Sequence, residues 1–259
     1  MMGDKLTGFY AVVTGASGGL GLAMARALLK EGAKVALAAR PSEKLEKAVS
    51  SLQADGLDAT VLPMDVRSED SVAQAAARIK EQWGRIDLLI NNAGIGMGRV
   101  NPWFAENPLP FFKIDLDGFR DMIETNFTGY FIVAKAFVPL MIEQGKGRFV
   151  NISTSRTTMI RKTMTPYGPS KAGAEALSNI MTEDLREYGI DVNVLLPGGS
   201  ADTGLLPEES RAAFRKIPLL SPEIMVQPIL FLASKDAEGL TGERIVATEF
   251  KEWLIQKGF

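Results

Sequence analysis

The first half of the chain alternates short apolar runs with longer amphipathic segments, and few folds accept that rhythm. "FYAVVTGA" is followed by the helical "GLAMARALLKEG", and "KVALAAR" by "SEKLEKAVSSLQADG", which Ser42 opens and Gly56 closes. "DATVLPMDV", "SEDSVAQAAARIKEQWG" and "RIDLLINNAG" continue the pattern. Apolar strands separated by helices of about 12 or more residues predict a parallel sheet covered on both faces. Right-handed crossovers then make it doubly wound. After Gly94 comes an irregular stretch, Ile95–Leu116, and then a long helix expected from about Asp117 to Glu143. The strand "GRFVNIST", a helix from "YGPSK" to about Tyr188 and the strand "IDVNVLLPG" follow. A second irregular stretch, Gly198–Leu220, precedes the helix "PEIMVQPILFLAS" and a last strand near "GERIVAT". No repeat, charge block or low-complexity linker intervenes, so residues 1–259 read as a single α/β domain.

Composition removes several kinds of chemistry. The chain holds no Cys and no His, which excludes disulfides, thiolate catalysis and zinc–thiolate sites and disfavours transition metals. The usual carrier of protons near neutral pH is also missing. A net charge of −2 gives no reason to expect nucleic acid or an anionic membrane as partner. The N-terminus lacks a secretory pattern, and no run approaches the roughly 18 apolar residues that cross a bilayer, so a cytoplasmic protein is expected.

"TGASGGLG", Thr14 to Gly21, lies where the first strand becomes the first helix. Glycines there let the backbone turn and approach a pyrophosphate, which the free N–H groups and dipole of the helix N-terminus favour. The spacing Gly15, Gly19, Gly21 is TGxxxGxG, which resembles the glycine pattern of the classical short-chain dehydrogenase/reductase family. The resemblance recurs along nearly the whole chain. "NNAG" at Asn91–Gly94 is similar to the family's motif after strand four, Asn126 to its helix-four asparagine, and Tyr167-x-x-x-Lys171 to its catalytic pair. Pro197, Gly198 and Gly199 with Thr203 resemble the motif after strand six. The resemblance implies a Rossmann-type fold with seven parallel strands, assembled as a homotetramer or homodimer. It also implies a dinucleotide held by Gly15, Ser17, Gly18, Gly19, Leu20, Gly21, Asn92, Ala93, Gly94, Tyr167, Lys171, Pro197, Gly198 and Thr203.

The end of the second strand bears on which dinucleotide. An acid there would bind the adenosine ribose hydroxyls of NAD and repel a 2′-phosphate. This chain has Ala39 followed by Arg40, and a guanidinium pairs with phosphate in bidentate fashion, so NADP is expected. Against it, Gly18 occupies the place where the family often carries a second basic residue. Asp65 resembles the family aspartate that binds the adenine amino group, with the Val66 N–H reading a ring nitrogen; a plain helix cap is the alternative reading of Asp65.

Residues at i and i+4 share a helix face, which sets Lys171 beside Tyr167. A phenol has a pKa of about 10, and a nearby cation lowers it, so Tyr167 is the expected general acid for carbonyl reduction and base for alcohol oxidation. The family holds the substrate oxygen with a serine. Here Thr154, thirteen residues before Tyr167, takes that place, with Ser153 and Ser155 as neighbours that strand alternation turns elsewhere. Asn126 matches the asparagine whose backbone carbonyl holds a water connected to the lysine. The candidate catalytic set is therefore Asn126, Thr154, Tyr167 and Lys171.

Segments 95–116 and 198–220 follow strands four and six, where ligands bind in open α/β sheets, and read as substrate loops. Trp103 and Phe104, with Phe111 and Phe112, form either an apolar substrate wall or loop anchors; Arg156 and Arg161 are candidates to receive an acidic substrate group. The chain ends in "IVATEFKEWLIQKGF" where family members often carry an aspartate and two glycines, and Trp253 and Leu254 are expected to pack on a neighbour or on the chain itself. The leading expectation is an NADP-dependent oxidoreductase that interconverts a small carbonyl compound and its alcohol. A non-catalytic NADP-binding regulator is the alternative, and an epimerase or dehydratase of the extended family would carry TGxxGxxG instead.

Overall fold

A computed structural model describes residues 5–216 and 218–259. Seven parallel strands form one sheet in the order β3-β2-β1-β4-β5-β6-β7. They are β1 (Tyr10–Thr14), β2 (Lys34–Ala39), β3 (Ala59–Pro63), β4 (Leu88–Asn91), β5 (Gly147–Ile152), β6 (Ile190–Leu196) and β7 (Arg244–Val246). The helices α1 (Gly19–Lys30), α2 (Glu43–Ala54) and α3 (Glu69–Trp83) link the first four strands. The chain winds outward from β1 to β3 and then in the other direction from β4, so the reversal lies between the paired strands β1 and β4. Ligands bind at that switch point in such sheets.

Burial follows from strand geometry. Alternate residues point to opposite faces. Val13, Val35, Leu37, Leu88 and Ile90 enter one core cluster with α1, and Val12, Ala36, Ala38 and Leu89 enter the other with α3. Both faces are covered, which is why the strands read as unbroken apolar runs. Ser42 caps α2 by accepting the Leu45 N–H, and Gly56 beyond it has φ +76°. Ser68 caps α3 by accepting the Ser71 N–H, so Asp65 is not the cap of that helix.

The expected helix from Asp117 to Glu143 is present as one continuous stretch, Leu116–Gln144, in which α4 (Leu116–Ile123) and α5 (Gly129–Gln144) are joined by a π-helical turn over Glu124–Thr128. By length and composition this continuous stretch is apolar enough to cross a membrane, with mean hydropathy 1.3, whereas no such run was expected. Its apolar residues serve the fold: Val133, Phe137, Leu140 and Met141 pack under the sheet. After β5 come the short α6 (Arg156–Ile160) and α7 (Tyr167–Leu185), and α8 (Val226–Ala233) precedes β7. The tail forms α9 (Phe250–Lys257), and its aromatics pack on the chain itself: Trp253 lies 5.8 Å from Phe231 and 6.0 Å from Phe250, ring to ring.

Phe137 is fully buried, whereas Phe112 is 71% exposed. Phe137→Ala is expected to lower the unfolding free energy by about 3–5 kcal/mol, and Phe112→Ala to change it by no more than about 0.5 kcal/mol. Urea denaturation of both variants checks the contrast; equal losses would contradict the layer assignment.

Candidate active site

The end of β1 is stitched to the end of β4. Thr14 Oγ1 accepts the backbone N–H groups of Asn92 and Ala93, each at 2.9 Å, and donates to Ile90 O at 3.2 Å. Asn92 returns its amide to Thr14 O at 2.8 Å. This contact brings the glycine loop against the NNAG segment. Gly15 has φ +65°, and a Cβ on it would meet Ala93 Cα at 2.8 Å. A Cβ on Gly21 would meet Asn92 Nδ2 at 2.5 Å. The helix α1 begins after Gly18 without a side-chain cap, so its first N–H groups are free for an anion. Ser17, Gly18, Gly19 and Leu20 line this turn and are partly exposed.

Arg40 stands exposed after β2. A second cation lies close by that sequence reading missed: a Cβ on Gly18 would meet Lys44 Nζ at 3.0 Å. Gly18 stands where the family often carries a second basic residue, and the Lys44 ammonium, from the first turn of α2, comes to that place. Asp65 binds Arg67, with Nε to Oδ1 at 3.2 Å and Nη2 to Oδ2 at 2.9 Å. The Arg67 guanidinium outweighs burial and holds the Asp65 carboxyl below its usual range. Val66 is buried and packs against Gly129 at the start of α5.

Asn126 sits in the π turn, fully buried. Its Oδ1 accepts the Ile95 N–H at 2.8 Å, while Nδ2 donates to Ile95 O at 2.9 Å and to Ser170 Oγ at 3.2 Å. Ser170 Oγ in turn donates to Tyr167 O at 2.8 Å. Asn126 thus ties the loop after β4, at Gly94 and Ile95, to the first turn of α7. Its side chain positions the tyrosine helix and is fully engaged in doing so.

Tyr167 is partly buried, and desolvation pushes its phenol above the ordinary value while the Thr154 hydroxyl pulls it down. Thr154 is therefore the hydroxyl beside the phenol. Arg244 fixes its backbone, donating from Nη2 to Thr154 O at 2.8 Å, and is itself paired with Glu175 at 3.0 Å. Ser155 caps α6 by accepting the Thr158 N–H. Ser153 is buried with its Oγ unpartnered among the described residues. Lys171 is 4% exposed, and burial lowers its pKa to about 7 against an opposing pull from Glu175. Sequence reasoning set the lysine to lower the tyrosine. In the structure its Nζ donates instead to Tyr130 Oη at 3.0 Å and Ile152 O at 2.9 Å, and burial governs the phenol.

The two irregular segments clasp each other over this cleft. A Cβ on Gly96 would meet Leu205 and one on Gly98 would meet Pro207, so these glycines admit the second segment closely. Ser210, fully buried, donates to Pro102 O at 2.6 Å and accepts the Ala105 N–H at 3.3 Å. Phe104 faces Phe214 and packs into the cluster of Met97, Met122 and Met164 that also holds Tyr167. Thr203 packs on Gly19, and Asp202, Thr203 and Arg211 line a cavity of about 360 Å³ with Arg26 of α1. That cavity follows Pro197 and Gly198, whose φ is +95°. Ile217, within the expected substrate loop 198–220, lies outside the described residues.

The candidate substrate residues lie in different settings. Trp103, Phe111 and Phe112 are exposed, the last two stacked edge to face at 5.5 Å, and only Phe104 anchors its loop. Arg156 lines a separate hollow of about 110 Å³ with Glu175 and Arg244, because α6 turns it toward β7. Arg161 rests on Met164, with Nη2 at 3.4 Å from Sδ.

The chain belongs to the short chain dehydrogenase family, whose pattern it matches over residues 10–213. Members are NAD(P)-dependent oxidoreductases, and the seven-stranded sheet is the family's fold. Gluconate 5-dehydrogenase of Gluconobacter oxydans (strain 621H) is 35% identical over 194 residues, 75% of this chain and 72% of that protein. The 5-keto-D-gluconate 5-reductase of Escherichia coli (strain K12) is 29% identical over 246 residues, 92% of this chain and 93% of that protein. The crystal structure of a variant actinorhodin polyketide ketoreductase with NADPH gives a TM-score of 0.81 at 28% identity, covering 95% of this chain and 97% of that one.

The three neighbouring hydroxyls now have separable roles. Thr154→Val is expected to slow carbonyl reduction by the equivalent of about 2–4 kcal/mol, the cost of one lost hydrogen bond to a developing oxyanion. Ser155→Ala should cost about 1 kcal/mol of stability through its lost cap, with turnover kept. Ser153→Ala removes an unpartnered hydroxyl and should be mild in both. Steady-state rates and melting curves of the three variants check the assignment. A silent Thr154→Val with a damaging serine variant would reassign the role to that serine.

Proposed function

We propose that this chain is an NADP-preferring reductase of a small ketone or aldehyde, running in reverse as an alcohol dehydrogenase, with Tyr167 as the proton donor. The observation that carries this reading is that the Thr154 hydroxyl acts on the Tyr167 phenol, and that Tyr167 packs with Ile95 and Phe104 of the loop after β4. The cradle fits a dinucleotide. Gly15 and Gly21 let the glycine turn close on the NNAG segment, and the uncapped start of α1 supplies N–H groups for a pyrophosphate. When bound, a nicotinamide dinucleotide supplies or accepts the hydride.

The chain's own residues carry the rest. Desolvation keeps the Tyr167 phenol protonated at neutral pH, which suits a general acid. In reduction its O–H gives the proton to the substrate oxygen, and Thr154 Oγ1 donates a hydrogen bond to the same atom. The clasp through Ser210 ties the two loops together beside them. A regulator without catalysis has little in its favour, because the tyrosine, the threonine hydroxyl and the lysine are all present and positioned. The relatives named for gluconate and ketogluconate chemistry make polyhydroxy acids and their keto forms the first compounds to assay.

Cofactor preference rests on Arg40 and Lys44, two cations at the adenosine end, with Ala39 in place of an acid. Charge-assisted hydrogen bonds to phosphate stabilise by about 1.5–3 kcal/mol each. Arg40→Asp and Lys44→Ala should each weaken NADPH binding by roughly tenfold to a hundredfold, with NADH unchanged or, for Arg40→Asp, improved. Fluorescence titration of both cofactors measures this. Equal affinities of the unaltered protein for NADPH and NADH would overturn the preference.

Tyr167→Phe should bind NADPH nearly as the parent does, yet lose turnover by about 10²–10⁴-fold. A carbonyl panel with stopped-flow NADPH oxidation reads the effect. Retained turnover would mean that the proton comes from another group.

A further inference from the structure

The environment of Lys171 contains a group that neither the glycine loop nor the tyrosine motif accounts for. Tyr130, on the first turn of α5 and 2% exposed, donates its O–H to Ile152 O at 3.0 Å. That bond uses the phenol's only hydrogen, so its oxygen is free to accept, and it accepts Lys171 Nζ at 3.0 Å. Lys171 also donates to Ile152 O at 2.9 Å. Phenol, ammonium and carbonyl thus close a buried triangle drawn from α5, α7 and β5. The arrangement requires a neutral Tyr130, and burial together with Tyr167 holds its pKa well above the ordinary value.

We propose that Tyr130 is a positioning residue for Lys171: its phenol oxygen fixes two of the three ammonium hydrogens, in concert with Ile152 O, and leaves the third directed to the catalytic cleft. The inference rests on the reductase reading for its kinetic consequence only, because the triangle itself is a property of the protein. An ammonium on a four-carbon stem has rotamers to lose, and a second acceptor selects one of them. The same acceptor favours the charged form of a group that burial discharges. The remaining groups facing Lys171 cannot substitute. Glu175 on its own helix is a further turn away and engaged by Arg244, and the Thr154 hydroxyl serves Tyr167.

The sign of the expected effect follows. The ammonium is present below about pH 7 and is lost as pH rises through that value. Tyr130→Phe removes an acceptor that favours the charged form, so the titration should move about one pH unit lower, the equivalent of one ordinary hydrogen bond. NMR titration of protein labelled at lysine Cε reads the lysine directly, without substrate or cofactor. The pH profile of NADPH-dependent carbonyl reduction should move its descending limb in the same direction, with kcat at pH 7.5 reduced about tenfold and recovered on acidification. Tyr130→Gln, whose amide oxygen can accept from Lys171, should restore part of the shift. Melting curves of both variants separate these effects from unfolding, since a folded Tyr130→Phe protein with Lys171 titrating as in the parent overturns the proposal. If Tyr130→Phe does not fold, an unshifted lysine in folded Tyr130→Leu overturns it equally. Retained turnover in Tyr167→Phe, with the lysine titration still shifted in Tyr130→Phe, would overturn the reductase reading and leave the triangle standing.

Discussion

Thr14 Oγ1 accepts two backbone N–H groups from the other side of the sheet reversal, and much of the site hangs on that contact. At the switch point the chain leaves β1 in one direction and β4 in the other, so two loops separate and expose polar backbone. One hydroxyl satisfies both Asn92 and Ala93 while Asn92 satisfies Thr14 O. The glycine turn and the NNAG turn are then held at van der Waals distance, which is why Gly15 and Gly21 have no room for side chains. A buried unpaired N–H costs about 1–3 kcal/mol, so two served by one oxygen make a tight and economical joint.

From that joint, order passes along side chains into the chemical half. Gly94 and Ile95 continue directly from NNAG, and Asn126 clamps both backbone groups of Ile95. The same asparagine reaches Ser170, which bonds to the carbonyl of Tyr167. Asn126 meets three partners because the π turn widens the helix where its side chain enters; a regular helix would carry it to another angle. The glycine turn and the tyrosine are therefore connected through a chain of side-chain hydrogen bonds that pins the loop after β4 to α7. The clasp around Ser210 then closes the remaining side, between segments about a hundred residues apart in sequence.

Sequence carried the sheet and the axis of the site because both are written in local patterns. Apolar runs, a glycine spacing and an i, i+4 pair are each visible within one element, and the strands and helices they indicate fall where the structure has them. What stayed hidden depends on contacts between distant elements. Lys44 reaches Gly18 only because α2 packs where it does, and nothing in "PSEKLEK" marks one lysine among two. Ser210 reads as a loop serine until Pro102 and Ala105 are beside it. The π turn at Glu124–Thr128 has no proline or glycine before Gly129 to announce it. Asp65 was read as binding the adenine amino group or capping a helix; Ser68 is the cap, and Arg67, two residues on, pairs with the carboxylate. Phe111 and Phe112, read as part of a substrate wall or as loop anchors, lie exposed.

A reductase without histidine, as proposed for this chain, must move protons with groups whose ordinary pKa values lie far from neutrality, and two such groups, Tyr167 and Lys171, lie one helical turn apart under burial. Desolvation acts on both but in opposite senses: it penalises phenolate, raising Tyr167, and it penalises ammonium, lowering Lys171 to about 7. Taken alone, the two shifts lead to neutral groups at pH 7.5, a protonated phenol beside a largely uncharged amine. That state keeps the phenol's proton in place but is a poor cation site. The hydrogen bonds to Tyr130 and Ile152 favour the ammonium and oppose the second shift, and the charge they retain pulls the neighbouring phenol down. An acceptor from another element does this without occupying the Tyr167 hydroxyl, and α5 carries one at Tyr130.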